Sequence, residues 1–119
     1  EKFSTWTDCA GEIESSISKD ELLTNIMIYW ITQTINSSFW LYYQSRHDRW
    51  ALGKGERITV PTAVASFPKE LVRPPREWAE RTCNVTHWTD MKSGGHFAAL
   101  EKPDELVQDI RSFRQALEL

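Results

Sequence analysis

The chain has 119 residues, with 14 basic and 17 acidic side chains interspersed along it for a formal net charge of −3. That length allows one domain at most, and the lack of a basic stripe removes the electrostatic footprint of a nucleic-acid binder or of a protein lying on an anionic membrane. No apolar run approaches the about 20 residues needed to span a bilayer, so the chain reads as soluble, with the cytoplasm as its expected location.

Residues 1–17 are of mixed polarity, with Trp6, Gly11 and a Ser15-Ser16 pair, and read as irregular. Cys9 and Cys83 lie far apart without metal-ligand spacing, so neither a disulfide framework nor a zinc site is expected and both read as free, buried thiols. Ser18-Lys19-Asp20-Glu21 fits a capping box, which predicts a helix from Lys19. From there Leu22, Leu23, Ile26, Met27, Trp30 and Ile31 recur at three and four residues, an apolar stripe running to about Ile35 that something must cover. Asn36-Ser37-Ser38 interrupts it, and the aromatic cluster Phe39, Trp40, Tyr42 and Tyr43 predicts a second short helix.

From Ser45 to Glu56 a solvated connection is expected, carrying His47, Asp48, Arg49, Gly53 and Gly55. Residues 58–67 are small and β-rich, which predicts a strand covered on both faces whose pairing begins after Pro61. Pro74-Pro75 opens a short helix through Trp78 to Arg81, and Asn84 to Thr89 forms a second strand in which His87 reads as structural. The glycosylation patterns at Asn36 and Asn84 read as chance matches. A last helix starts at Pro103, with Leu106, Ile110, Phe113 and Leu117 as its apolar seam. Strand, helix, strand, helix in succession predicts a parallel α/β arrangement.

In an open parallel sheet, reactive groups gather beyond the carboxyl ends of the strands. The first strand runs out into Phe67-Pro68-Lys69-Glu70, and the second into Gly94-Gly95-His96-Phe97-Ala98-Ala99-Leu100-Glu101. Two glycines before a histidine indicate a tight loop that aims the imidazole, the usual proton carrier near neutral pH. If the strands are neighbours, Glu70 and His96 emerge on one edge, where the carboxylate fixes the imidazole tautomer and stabilises the imidazolium. Acid then histidine is the closing part of an α/β-hydrolase triad, yet the sequence holds no nucleophile elbow of the form G-x-S-x-G or G-x-D-x-G.

These segments, together with Glu1-Lys2-Phe3 and Trp6, the run from Asp20 to Trp30, Thr34 to Ser38 with Tyr42, Val60-Pro61-Thr62 and Pro75-Arg76-Glu77-Trp78, resemble the microsomal-type epoxide hydrolases. That α/β-hydrolase branch includes juvenile-hormone and fungal enzymes. The resemblance implies the C-terminal part of an α/β-hydrolase fold, with residues 1–56 the end of a helical cap and residues 57–119 the last part of the core. It also implies hydrolysis of a small apolar epoxide by water to a vicinal diol, through a covalent ester formed on an aspartate absent from this sequence. His96 is then the general base, Glu70 its acid partner and Tyr42 a donor to the epoxide oxygen, with no cofactor and no metal. Trp30, Trp40 and Phe97 either line an apolar pocket or pack in the core. The expected partner is the missing N-terminal part of the same fold, without which the chain is expected to be inactive. Two readings stay open beside this one, another α/β-hydrolase (a haloalkane dehalogenase or an esterase) and a noncatalytic truncated product.

Overall fold

In the computed structural model, which describes residues 1–48 and 51–117, the capping box closes as its spacing predicts. The Ser18 hydroxyl accepts the Glu21 amide at 3.3 Å while the Glu21 carboxylate accepts the Ser18 amide at 2.9 Å. The hydrogen bonds from the Ser18 side chain and amide hold the Glu21 carboxyl below its ordinary range, against a slight opposing effect of burial. Helix α2 spans Lys19–Thr32 and stops where Gln33 turns left-handed at φ +55°. This is short of the predicted Ile35. The Thr32 hydroxyl bonds back to the Ile28 carbonyl at 2.6 Å and meets the Thr34 hydroxyl at 2.7 Å, polar side chains that give the chain an alternative to further helical turns. Leu22 is half-buried, but the rest of the apolar stripe lies uncovered among the described residues: Trp30 is 77% and Ile31 70% exposed.

Helices α3 (Ile35–Ser38) and α4 (Trp40–His47) follow. The predicted connection from Ser45 is thus helical as far as His47, because His47 Nδ1 donates to the Tyr43 carbonyl at 2.7 Å and its ring stacks on Tyr43 at 3.9 Å. Arg49, read as part of that connection, lies with Trp50 outside the described residues.

Strand β1 (Ile58–Ser66) pairs in parallel with β2 (Cys83–Asp90), with Ala63 opposite His87 and Ser66 opposite Asp90. Pairing begins at Ile58, opposite Cys83, and not after Pro61 as expected, and the register shifts between Ile58 and Pro61 and again between Thr62 and Ala63. Helix α5 (Arg76–Thr82) crosses between the strands and runs directly into β2. Past the strand ends the two segments stay joined, since the Met91 amide donates to Ser66 (2.9 Å) and the Lys69 amide to Gly94 (3.1 Å). Contrary to expectation, β1 is only half-buried and Val60 is 66% exposed, because a two-stranded sheet has too few neighbours to cover both faces.

Helix α6 (Ala98–Glu101) leads into α7 (Pro103–Ala116), which packs on both strands. Leu106, Phe113 and Leu117 are half-buried there, whereas Ile110 departs from the predicted seam and is exposed. His87 ties β2 to α7: its Nε2 lies 2.8 Å from Asp109 Oδ1, to which the Thr89 hydroxyl also donates at 2.6 Å.

The N-terminal segment is not irregular. Helix α1 (Lys2–Trp6) is followed by a left-handed turn at Ala10 and Gly11 and a 3₁₀ turn at Ile13–Ser15. The Thr7 hydroxyl bonds to the Phe3 carbonyl and so closes the last turn of α1. Among the described residues the buried apolar side chains are Cys9, Ile17 and Phe67, and the buried polar ones are Thr7 and Glu101. The core therefore sits where the N-terminal segment meets the loop around His96. Both cysteines are free, as expected, but Cys83 is only half-buried.

Candidate active site

The loop from Gly94 to Phe97 is built so that only glycine fits its first two positions. Gly94 has φ +106°, and a Cβ there would lie 2.8 Å from the Phe67 ring and 2.9 Å from Lys102 Cγ. A Cβ on Gly95 would stand 2.6 Å from the Trp6 carbonyl oxygen. That close approach allows every amide of the loop to be satisfied. The Gly94 amide donates to Asp8 Oδ2 (3.0 Å), Gly95 to Glu101 Oε2 (3.0 Å), His96 to the Trp6 carbonyl (2.9 Å) and Phe97 to Glu101 Oε1 (3.0 Å).

On this loop the His96 ring is turned toward the end of β1. Its Nδ1 lies 2.7 Å from Glu70 Oε1, which also accepts the Leu71 amide at 2.6 Å. Partial burial works to raise the Glu70 pKa, but the hydrogen bonds from His96 and Leu71, with the attraction of the imidazole, outweigh it and hold the carboxyl below the ordinary range. With Nδ1 engaged, Nε2 is the ring nitrogen left to exchange a proton with a substrate or water. The imidazole is flanked by Trp6 and Phe97, each ring edge-on at 5.2 Å, and Phe97 rests in turn on Phe3 at 4.3 Å. The side chains of His96 and Glu70 remain 38% and 33% exposed.

Tyr42 stands on α4, 66% exposed, its ring 6.3 Å from that of Phe39. No hydrogen bond among the described residues joins it to Glu70 or His96. Trp30 and Trp40 are also exposed, Trp40 lying edge-on to Tyr43 at 5.5 Å, while Phe97 is the one of the three against the His96 ring. Among the described residues no three His, Cys, Asp or Glu side chains are grouped to hold a metal ion.

Sequence reasoning brought Glu70 and His96 together but missed Asp8, Glu101 and the Trp6 carbonyl, which fasten the loop. The one available signal was Phe3 and Trp6 at helical spacing in an aromatic-rich start. No family model matches the chain. It is 42% identical over 127 residues to epoxide hydrolase 1 of Sus scrofa, an alignment covering 99% of this chain and 28% of the pig protein. It is 39% identical over 119 residues to juvenile hormone epoxide hydrolase 1 of Ctenocephalides felis, covering 92% of this chain and 26% of that one. The crystal structure of juvenile hormone epoxide hydrolase from the silkworm Bombyx mori matches with a TM-score of 0.70 at 29% identity, over 96% of this chain and 32% of that one. The chain is an epoxide-hydrolase relative with the α/β-hydrolase fold. It spans about a quarter of the length of the curated relatives it matches. Within that fold its two parallel strands and their flanking helices correspond to the C-terminal part, where an α/β-hydrolase carries its acid and histidine. No described helix is long and apolar enough to cross a membrane.

Proposed function

We propose that this chain supplies the water-activating half of an epoxide hydrolase, with His96 as general base, Glu70 as its acid partner and Tyr42 as a hydrogen-bond donor to the epoxide oxygen. The observation that carries the reading is the 2.7 Å hydrogen bond between His96 Nδ1 and Glu70, formed across the ends of two parallel strands. Residues 1–56 are read as the end of the helical cap and residues 57–119 as the closing part of the core, the remainder of the fold bringing the nucleophilic aspartate.

In the first step a carboxylate oxygen of that aspartate attacks one epoxide carbon, the carbon–oxygen bond breaks, and the developing alkoxide takes a proton or a strong hydrogen bond from Tyr42. In the second, water gives a proton to His96 Nε2 as its oxygen attacks the ester carbonyl carbon. The diol oxygen departs with the proton that His96 took from the water, and the aspartic acid so formed gives its proton back to the Tyr42 oxygen, directly or through water, which restores carboxylate, imidazole and phenol. Glu70 holds the tautomer with Nδ1–H toward itself, so that Nε2 has a free lone pair for the water proton, and its negative charge stabilises the imidazolium that forms. The flanking rings of Trp6 and Phe97 suit a small apolar substrate.

The test is His96→Gln in a polypeptide that joins this chain to the nucleophile-bearing part of the fold. Ring opening should persist while ester hydrolysis slows by about 10²–10⁴. The expected result is one equivalent of alkylated protein, seen by mass spectrometry, with almost no diol. Normal turnover by the variant would remove His96 from the base role.

A further inference from the structure

We propose that Glu101 is a positioning residue for His96, its carboxylate clamping the backbone on both sides of the histidine so that the imidazole stays on Glu70. Glu101 is only 9% exposed, and no lysine, arginine or histidine pairs with it among the described residues. A buried acid without a cation is costly unless its oxygens are satisfied by hydrogen bonds. Here they are satisfied by the main chain alone. Oε2 accepts the amides of Asp8 (2.8 Å) and Gly95 (3.0 Å), and Oε1 accepts that of Phe97 (3.0 Å).

Two of those three amides flank His96, while the third belongs to the N-terminal segment whose Trp6 carbonyl takes the His96 amide itself. The histidine backbone is therefore fixed before, at and after its own Cα, and its Cα–Cβ bond has one direction available. A neutral glutamine cannot substitute. It has a single acceptor oxygen, and its NH₂ group would face either the Phe97 N–H or the Asp8 and Gly95 N–H pair, donor against donor. Geometry thus gives this acid a demand for two acceptor oxygens that a loop-closing contact of ordinary kind would not impose.

The inference rests on the base role proposed for His96, but its primary readout needs no turnover. The experiment uses the polypeptide that joins this chain to the nucleophile-bearing part of the fold, as wild type, Glu101→Gln and Glu101→Asp. Loss of a hydrogen bond to a charged acceptor should speed exchange of the Gly95 and Phe97 amides by about tenfold or more in Glu101→Gln. The decisive signals belong to the catalytic pair. In Glu101→Gln the sharp His96 Nδ1 proton resonance should be lost, and the Glu70 carboxyl should titrate higher, toward the ordinary carboxylate range. The His87 ring signals and the Glu21 titration should not move.

If Glu101→Gln does not fold, Glu101→Asp carries the test, since it keeps the charge but falls one methylene short of the three amides. The same losses in part support the proposal. An unchanged Nδ1 resonance and Glu70 titration in the folded variants, with or without faster amide exchange, overturn it and leave Glu101 a loop fastener. In the joined polypeptide, Glu101→Gln should lower kcat about tenfold or more with KM held. A wild type without turnover, with the resonance losses intact, would strike at the hydrolase reading and not at the positioning role.

Discussion

At the scale of single residues, the pair of Glu70 and His96 sets the pH behaviour. The Glu70 carboxyl titrates below its ordinary value in the folded chain, so the interaction is present above the ordinary carboxylate range and is lost as pH falls through the depressed value. Loss of the Glu70 contact in the joined polypeptide is accordingly expected only below the ordinary glutamate range, read from the His96 Nδ1 proton resonance as pH is lowered. Glu70→Gln removes that titration and the charged acceptor together. A rate lower by about 10- to 100-fold is expected, the worth of one hydrogen bond to a charged group, whereas Glu70→Asp should keep most activity. A Glu70→Gln profile identical to wild type in single-turnover rates would contradict the role. Gly95→Ala tests the loop from the other side. Its Cβ would press on a main-chain oxygen that cannot swing away, so a cost of about 1–3 kcal/mol in chemical denaturation is expected. The glycines, the histidine and the acid were legible in the sequence because their chemistry is local, a tight turn next to a proton carrier. Asp8, and the bond from its amide to Glu101, were not, because they join segments at opposite ends of the chain.

Among the elements, legibility followed the same division between local and distant causes. The start of α2 could be read to the residue because a capping box is a fixed four-residue pattern, while its end could not, because the left-handed Gln33 that stops it carries no such pattern. Helix α1 was missed for a distant reason: its aromatic face, Phe3 and Trp6, rests on Phe97, which follows it by more than ninety positions. The parallel pair of strands was legible from the strand, helix, strand order, but Ile110 was misplaced because periodicity alone cannot say which face of α7 meets the sheet. What does anchor α7 is Asp109, its side chain 9% exposed, receiving both Thr89 and His87 from β2. Asp109→Ala should therefore destabilise the chain by about 1–3 kcal/mol, leaving two β2 groups without their acceptor. The Glu70–His96 pair is built on other segments, so turnover per folded molecule should stay near wild type. Unfolding curves and active-site titration separate these two effects, and a variant as stable as wild type would show that the His87–Asp109 contact carries no weight.

At the scale of the whole molecule, the surface is far larger than the chain can sustain alone. It exposes 9642 Å², whereas a self-contained protein of 13.9 kDa exposes about 6,700 Å². The radius of gyration, 16.9 Å, likewise exceeds the about 13.5 Å of a compact domain of this length. Many of the exposed large apolar side chains fall between Leu23 and Tyr43, where Trp30, Ile31, Trp40 and Leu41 are each more than 60% exposed. Patches of that kind on soluble proteins mark a surface that another polypeptide covers. On the proposed function, the rest of an α/β-hydrolase fold is that cover and brings the nucleophilic aspartate with it. Two consequences follow for the 119-residue chain by itself. It should bind a hydrophobic dye strongly and associate as its concentration rises, and it should form no diol from a small apolar epoxide above the uncatalysed background. Refolding it with a separate polypeptide carrying the nucleophile-bearing part should suppress dye binding and bring turnover with one-to-one stoichiometry. Dye fluorescence, sedimentation and a diol assay on the same samples decide the matter. A monomeric chain that already hydrolyses epoxides would show that both the nucleophile and the cover lie within these residues.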